Sequence, residues 1–403
     1  MVSPLSTFFR SLALLAALLL SGCGGTPEKL MAPTPIQAEH LKRVPIVIAT
    51  TRKGTDDPGT MYSGERGNLS YAKVSVSIPP NHVSGEIEWP TSLPVDPNKY
   101  FATREASLIS QKDFRAAVRQ NIRQYKTRGS VFVFIHGYNT RFDAAVYRLA
   151  QIANDSGANT TPVLFTWPSQ GKLLGYAYDR ESATYSRDAL EIVLQELVAE
   201  PEVRDITILA HSMGNMVALE TLRQMAVRKK EISRKIRNVI LASPDVDVDV
   251  AKLLIGGMGK LPPHFTLFIS RDDRALKASK VVWGSTDRLG SINPLQEPYR
   301  DQLAAYKNMD VFDLTELQTG DSLNHTKFAQ SPAVVQFVGQ HLMSGNRMDT
   351  ERVGIGDHIG SFVIGATNVV GNAATAAVSA PIAIIDANTR ANLSDRVRAI
   401  VPQ

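Results

Sequence analysis

From Val44 onward the sequence predicts an α/β domain built on a mainly parallel sheet with helices on both faces. Two observations predict it. Short β-rich apolar runs alternate with stretches of helical periodicity. Residues 130–135 are almost continuously apolar, as expected of a central strand buried on both sides. Residues 44–50 form the first expected strand and 69–78 the second, which Pro79 and Pro80 close because proline cannot donate to a ladder. A Pro- and Gly-rich excursion follows, to about Pro97. Residues 114–125 then place Phe114, Ala117, Val118, Ile122 and Tyr125 at helical spacing. After the central strand, helix 142–154 leads to strand 162–167, helix 182–199 to strand 205–210, and helix 213–227 to strand 238–243. Strands at 265–270 and 310–314 and a helix at 333–342 complete one domain, bounded at about 44–345, with no internal repeat.

Composition bounds the remaining possibilities. A chain of 403 residues that is 43% hydrophobic and 21% charged is not globally disordered, collagenous or polytopic. The net charge of +5 is small for this length and spread along the chain. Its one concentration, Arg228, Lys229 and Lys230 with Arg234, Lys235 and Arg237, reads as a solvated helix end, so no nucleic-acid partner is expected. A single cysteine excludes intrachain disulfides and cysteine metal cages.

That cysteine follows a basic start at Arg10, an apolar stretch at 11–20, and Ser21-Gly22. A stretch of about ten residues, apolar apart from Ser11, is about half of what spans a bilayer, so this segment reads as a processing signal. Leu20-Ser21-Gly22-Cys23 resembles the lipobox of bacterial lipoproteins. The resemblance implies removal of residues 1–22, acylation of Cys23, and attachment to a membrane of the cell envelope. The absence of aspartate after Cys23, where Gly24 stands, favours the outer membrane, facing the periplasm, if the envelope is Gram-negative. Residues 23–43, with Pro27, Pro33 and Pro35, read as a tether. The tail at 346–403 contains an uncharged Gly- and Ala-rich stretch, 359–385. Packing on the domain, insertion at an interface and a flexible segment all stay open for it.

The chemistry centres on Ala210-His211-Ser212-Met213-Gly214, directly after an apolar strand and directly before a helical pattern. A tight strand-to-helix turn lifts a serine hydroxyl out of the sheet, and the following helix offers its N-terminal N–H groups to developing negative charge. The simpler reading is a serine capping a helix.

Here the chain resembles the α/β-hydrolase superfamily, with Ser212 as nucleophile. It is more closely similar to a poorly characterised bacterial group within that superfamily, many of whose members carry lipoprotein signals. Supporting residues are Ala49-Thr50-Thr51-Arg52, His82-Val83-Ser84-Gly85, Ile135-His136-Gly137-Tyr138-Asn139, Phe165-Thr166-Trp167-Pro168-Ser169 and residues 270–276. The superfamily's chain order of serine, acid, histidine leaves His264, His325, His341 and His358 as candidate bases. His325 is favoured because it lies in a loop shortly after the last strand, at the edge where the nucleophile emerges. His211, next to the serine, reads as a packing residue pointing away from it. Asp273 is the expected acid, with Asp272 and Asp245 as alternatives. Asp247 and Asp249 suit a helix start. The expected oxyanion donors are the N–H groups of Tyr138 and Met213, and whether Tyr138 and Trp167 line an acyl pocket or only pack stays open. The implied activity is that of a membrane-anchored serine esterase acting on an ester or acyl substrate, without metal or organic cofactor. The alternative is an envelope binding or scaffold lipoprotein that retains the fold without turnover.

Overall fold

The computed structural model describes residues 27–259, 261–282, 286–306, 308–319 and 321–344. The signal segment, Cys23 and the 346–403 tail lie outside the described residues. Nine strands form one sheet: β1 (Arg43–Gly54), β2 (Tyr62–Ser77), β3 (Ala102–Ile109), β4 (Ser130–Ile135), β5 (Thr161–Thr166), β6 (Asp205–His211), β7 (Ile236–Ala242), β8 (His264–Ile269) and β9 (Met309–Asp313). Their order is β3-β2-β1-β5-β4-β6-β7-β8-β9. β1, β2 and β3 pair antiparallel, and from β1 to β9 every neighbour is parallel.

The helices are α1 (Gln111–Gln124), α2 (Phe142–Asp155), α3 (Tyr176–Tyr185), α4 (Arg187–Ala199), α5 (Gly214–Lys229), α6 (Val248–Gly256), α7 (Arg274–Val282), α8 (Tyr299–Ala304), α9 (Lys327–Gln330) and α10 (Pro332–Ser344). Strand alternation sends β4 side chains into two cores. Val131, Val133 and Ile135 pack with Phe114 of α1, Leu190 of α4 and Val217 of α5. Phe132 and Phe134 pack with Val146 and Leu149 of α2 and Phe337 of α10. Both faces are therefore covered, which is why β4 reads as an unbroken apolar run.

Four departures from the sequence expectation have local causes. β3 is an edge strand whose run Ala-Thr-Arg-Glu-Ala-Ser-Leu-Ile alternates weakly, because only one of its sides must pair. β2 starts at Tyr62, since its polar, glycine-rich beginning pairs with the end of β1 through irregular register at Arg52 and Gly54. The expected helix at 182–199 is two helices, divided at Ser186, whose hydroxyl donates to Ser182 O (2.7 Å) and contacts Thr51 Oγ1 (2.7 Å). α7 and α8, both short, have no counterpart in the expectation.

The tether expectation also needs correction. Leu30, Met31, Ala38 and Leu41 are buried. Thr103 Oγ1 donates to Leu30 O (2.8 Å), Thr34 N to Thr103 O (3.0 Å), and Arg104 Nη1 to Ile36 O (2.7 Å). The apolar side chains at 30 and 31 drive this docking onto β3 and α2, so the described part of the segment belongs to the domain. No helix among the described residues is long and apolar enough to cross a membrane.

Candidate active site

Ser212 occupies the turn between β6 and α5 with φ +52°. A non-glycine residue in this left-handed region costs about 1–2 kcal/mol and persists only where its surroundings demand it. Here they do. Ser212 N donates to Ala242 O (3.0 Å), while Ser212 O accepts from Asp245 N (3.2 Å) and from Asn215 Nδ2 (2.9 Å). The small residues around it are required sterically. A Cβ at Gly214 would stand 2.4 Å from His136 O, and one at Gly137 would stand 2.8 Å from Ser212 Cβ.

His325 lies 113 positions further along, in the loop between β9 and α9, and one carboxylate organises that loop. Asp321 accepts from the N–H groups of Leu323 (2.9 Å), His325 (2.6 Å) and Thr326 (2.8 Å) and from the Thr326 hydroxyl (2.9 Å). Asn324, at φ +57°, turns the chain and donates to Asp272 (2.9 Å). The imidazole Nδ1 of His325 is 2.7 Å from Asp273 Oδ2, and the other oxygen of Asp273 accepts the N–H of Leu276 (2.9 Å). Burial disfavours the charged imidazole, but Asp273, by charge and hydrogen bond, together with Asp245 and Asp321, outweighs that effect and raises the His325 pKa above the ordinary histidine value.

The alternative acids are engaged elsewhere. Asp272 receives the Ser270 hydroxyl (2.5 Å) and the ammonium of buried Lys327 (2.9 Å to each oxygen). Asp245 receives the hydroxyls of Tyr176 (2.6 Å) and Ser279 (2.6 Å) beside the Arg288 guanidinium (3.4 Å). His264 opens β8 and pairs with Asp310 (2.8 Å). The side chain of His341 and all of His358 lie outside the described residues. His211 does pack, as expected, but against the candidate base: its Nε2 donates to His325 O (3.2 Å), and its ring lies 4.7 Å from those of His325 and Phe328. Burial, followed by the charge of His325, holds its pKa well below the usual value, so it stays neutral.

The turn after β4 is supported from beneath. Arg52 is buried and donates to Thr166 Oγ1 (2.8 Å), Ser169 O (2.9 Å), Thr140 O (2.7 Å) and Ser63 O (3.3 Å), with His136 Nε2 at 3.3 Å. Asp179, also buried, accepts the Asn139 and Gln170 N–H groups (3.1 and 2.9 Å) and the Ser169 hydroxyl (2.5 Å). His136 stacks on Trp167 at 4.8 Å, and burial plus the nearby Arg52 charge push its pKa down to about 3. Trp167 Nε1 donates to His136 O (2.9 Å), so this tryptophan packs beneath the site and Tyr138 alone of the two aromatics lines the cavity. Among the described residues, the N–H groups of Tyr138 and Met213 donate to no protein acceptor.

Ser212 and His325 line one cavity of about 580 Å³, well within the range of small-molecule sites. No hydrogen bond joins their side chains in this structure. Leu173, Tyr176, Leu276 and Val282 also line this cavity. Sequence reasoning assigned no role to Arg52, Asp179, Asp321 or Lys327. A readable signal existed for two of them: an arginine ending an otherwise apolar strand, and an aspartate preceding a turn by the spacing of a side-chain-to-backbone bond.

The family model described as alpha/beta hydrolase of unknown function matches residues 110–344, more than half of the chain. The chain belongs to this family. A curated relative, an uncharacterised protein of Nostoc sp., is 30% identical over 149 residues, covering 29% of this chain and 38% of its own length. The chain therefore spans well under half of that relative. Among solved structures, it is similar to an esterase from Pyrobaculum calidifontis, at 13% identity and TM-score 0.33 over 85% of this chain and 99% of that one. A siderophore hydrolase from Aspergillus nidulans is similar at 10% identity and TM-score 0.36, over 79% of this chain and 100% of that one. In this chain His136, Thr166, Trp167 and Ser169, from the motifs at 136–139 and 165–169, belong to one buried network around Arg52.

Proposed function

We propose that the protein is a serine hydrolase acting on carboxylic esters, with Ser212 as nucleophile, His325 as base and Asp273 as the acid that orients it. The observation that carries this reading is a strained serine sharing one cavity with a histidine whose far nitrogen is held by a buried carboxylate. Asp273 at Nδ1 leaves Nε2 as the nitrogen that takes the proton. Ser212 Oγ attacks the ester carbonyl carbon while its proton passes to His325 Nε2. The carbonyl oxygen becomes an oxyanion facing the N–H groups of Tyr138 and Met213. Collapse expels the alcohol, which takes the proton from His325. Water, deprotonated by the same nitrogen, then attacks the acyl-serine and releases the acid. Small rearrangement of the His325 loop on substrate binding closes the serine-to-imidazole bond, since such bonds are often loose without substrate.

A fluorophosphonate probe tests the reading. It should label the wild type and not Ser212→Ala, whose ester turnover should fall by about 10⁴-fold or more. Equal labelling of both proteins, or of neither, sinks it. The open serine-to-histidine contact favours one other reading, a binding or scaffold protein without turnover, which would give no labelling of either protein. Anchoring belongs to the same proposal: Cys23 carries acyl chains that hold the protein in the cell envelope, at the periplasmic side of the outer membrane in a Gram-negative cell. Radiolabelled palmitate should enter the wild type and not Cys23→Ser.

A further inference from the structure

Arg148 stands in the wall of the same cavity and has no part in the chemistry above. It projects from α2 with Ala144 and Ala145, one helical turn away on the same face, and its other neighbours in the wall include Ile87, Trp89 and Phe328. A guanidinium carries five N–H donors. Among the described residues, Arg148 uses its side chain for one hydrogen bond, from Nη1 to the neutral amide oxygen of Gln151 (2.8 Å), and no carboxylate stands within ion-pair distance of it. Arg148 is half-buried, so its remaining N–H groups are open to the cavity, where a charge partly desolvated beside apolar side chains is stabilised when an opposite charge meets it. Burial lowers its pKa to about 10, which still leaves it charged at neutral pH.

The surrounding acids do not answer that charge. Asp245, among the described residues the one carboxylate in the cavity wall, is held by Tyr176, Ser279 and Arg288. Behind Arg148, Asp155 is bound by His82 (2.7 Å), Gly85 N (2.7 Å) and Gln151 (2.7 Å), and Asp321 is bound by its own loop. Glu86 is exposed to solvent. These three act on Arg148 only at a distance. Arg274, a second cation, stands at the wall of the same cavity.

We infer that Arg148 binds an anionic group of the substrate, so that the site selects esters bearing a carboxylate or a similar planar anion over neutral esters of the same size. This rests on the proposed esterase reading and adds the substrate class. The guanidinium fork matches a carboxylate in two parallel hydrogen bonds, and the apolar wall around it strengthens them.

Two matched pairs of esters test the inference, one with the anion on the acyl part (mono-p-nitrophenyl glutarate against p-nitrophenyl valerate), the other with it on the alcohol part (4-carboxyphenyl butyrate against phenyl butyrate). In at least one pair the wild type should favour the anionic ester by about 10-fold or more in kcat/KM, mainly through KM. Arg148→Gln should bring that ratio close to one, and Arg148→Lys should keep part of the preference. Urea midpoints of both variants establish that they fold. Ser212→Ala, which does not turn over, should bind the favoured anionic ester more tightly than Ser212→Ala/Arg148→Gln does. If the wild type takes the fluorophosphonate label but shows no anionic preference in either pair, or if Arg148→Gln leaves the preference intact, the inference fails and the hydrolase reading stands. If no label is taken yet Ser212→Ala binds the anion through Arg148, the hydrolase reading fails and the anion site stands.

Discussion

Two loops meet at the cavity, and they are supported in opposite ways. The turn at 136–140 rests on Arg52, Asp179 and neutral His136, all buried, through bonds that mostly end on backbone and hydroxyl atoms. The His325 loop rests on Asp321, which binds its backbone, and on two pairs of ionisable side chains, Asp273 with its imidazole and Lys327 with Asp272. The difference separates rigidity from titration. The first loop holds donors that should not change with pH, whereas the second holds a group whose charge must change for it to work as a base.

Removing the carboxylate from the second loop should have the largest effect. Asp273→Asn keeps the shape but loses the charge and the tautomer control, and kcat on a neutral ester should fall by about 10⁴-fold with little change in KM. A loss under tenfold would mean that another acid orients His325. Under the first loop, Arg52→Met strips five acceptors of a charged donor and should lower stability by about 3 kcal/mol, read as a urea midpoint. A change below about 0.5 kcal/mol would show that the network is not a support. Lys327→Met should act more mildly, about tenfold in kcat, because it leaves Asp272 beside the base without its cation and loosens the loop. Unchanged kcat would remove Lys327 from any positioning role. The smallest effect is a displacement in pH. A base must be unprotonated, and a raised pKa means that it takes up its proton at higher pH, so kcat/KM should fall on the acid side through a midpoint above about 6.5. Neither His136, pushed down to about 3, nor His211, held well below the ordinary histidine value, should add a second acid limb near the His325 midpoint. A midpoint below about 6 would contradict the environment seen around His325.

Much of this was legible in residue order. The β4 run, the strand before Ser212 and the helix after it are local patterns, and the glycines at 137 and 214 stand where close approach leaves no room for a Cβ. The tether was misjudged because prolines suggest an open chain, while two apolar residues among them, Leu30 and Met31, found a partner surface that only the folded β3 and α2 supply. The same limit hid α3 from α4, since the break at Ser186 answers to Thr51 on a distant strand.

Period, turn chemistry and steric allowance act over a few neighbouring residues, so the linear order was sufficient for the α/β architecture, the serine at the strand-to-helix turn and a short roster of acids and histidines. Which members of that roster touch depends on loops brought together from the far ends of parallel strands. Asp272 and Asp273 are adjacent in the chain and equal in chemistry, yet one faces an ammonium and the other an imidazole. Arg148 is one more polar position on an amphipathic helix until the cavity forms in front of it. Electrostatic partnership is a matter of ångströms in space, and sequence separation does not measure it.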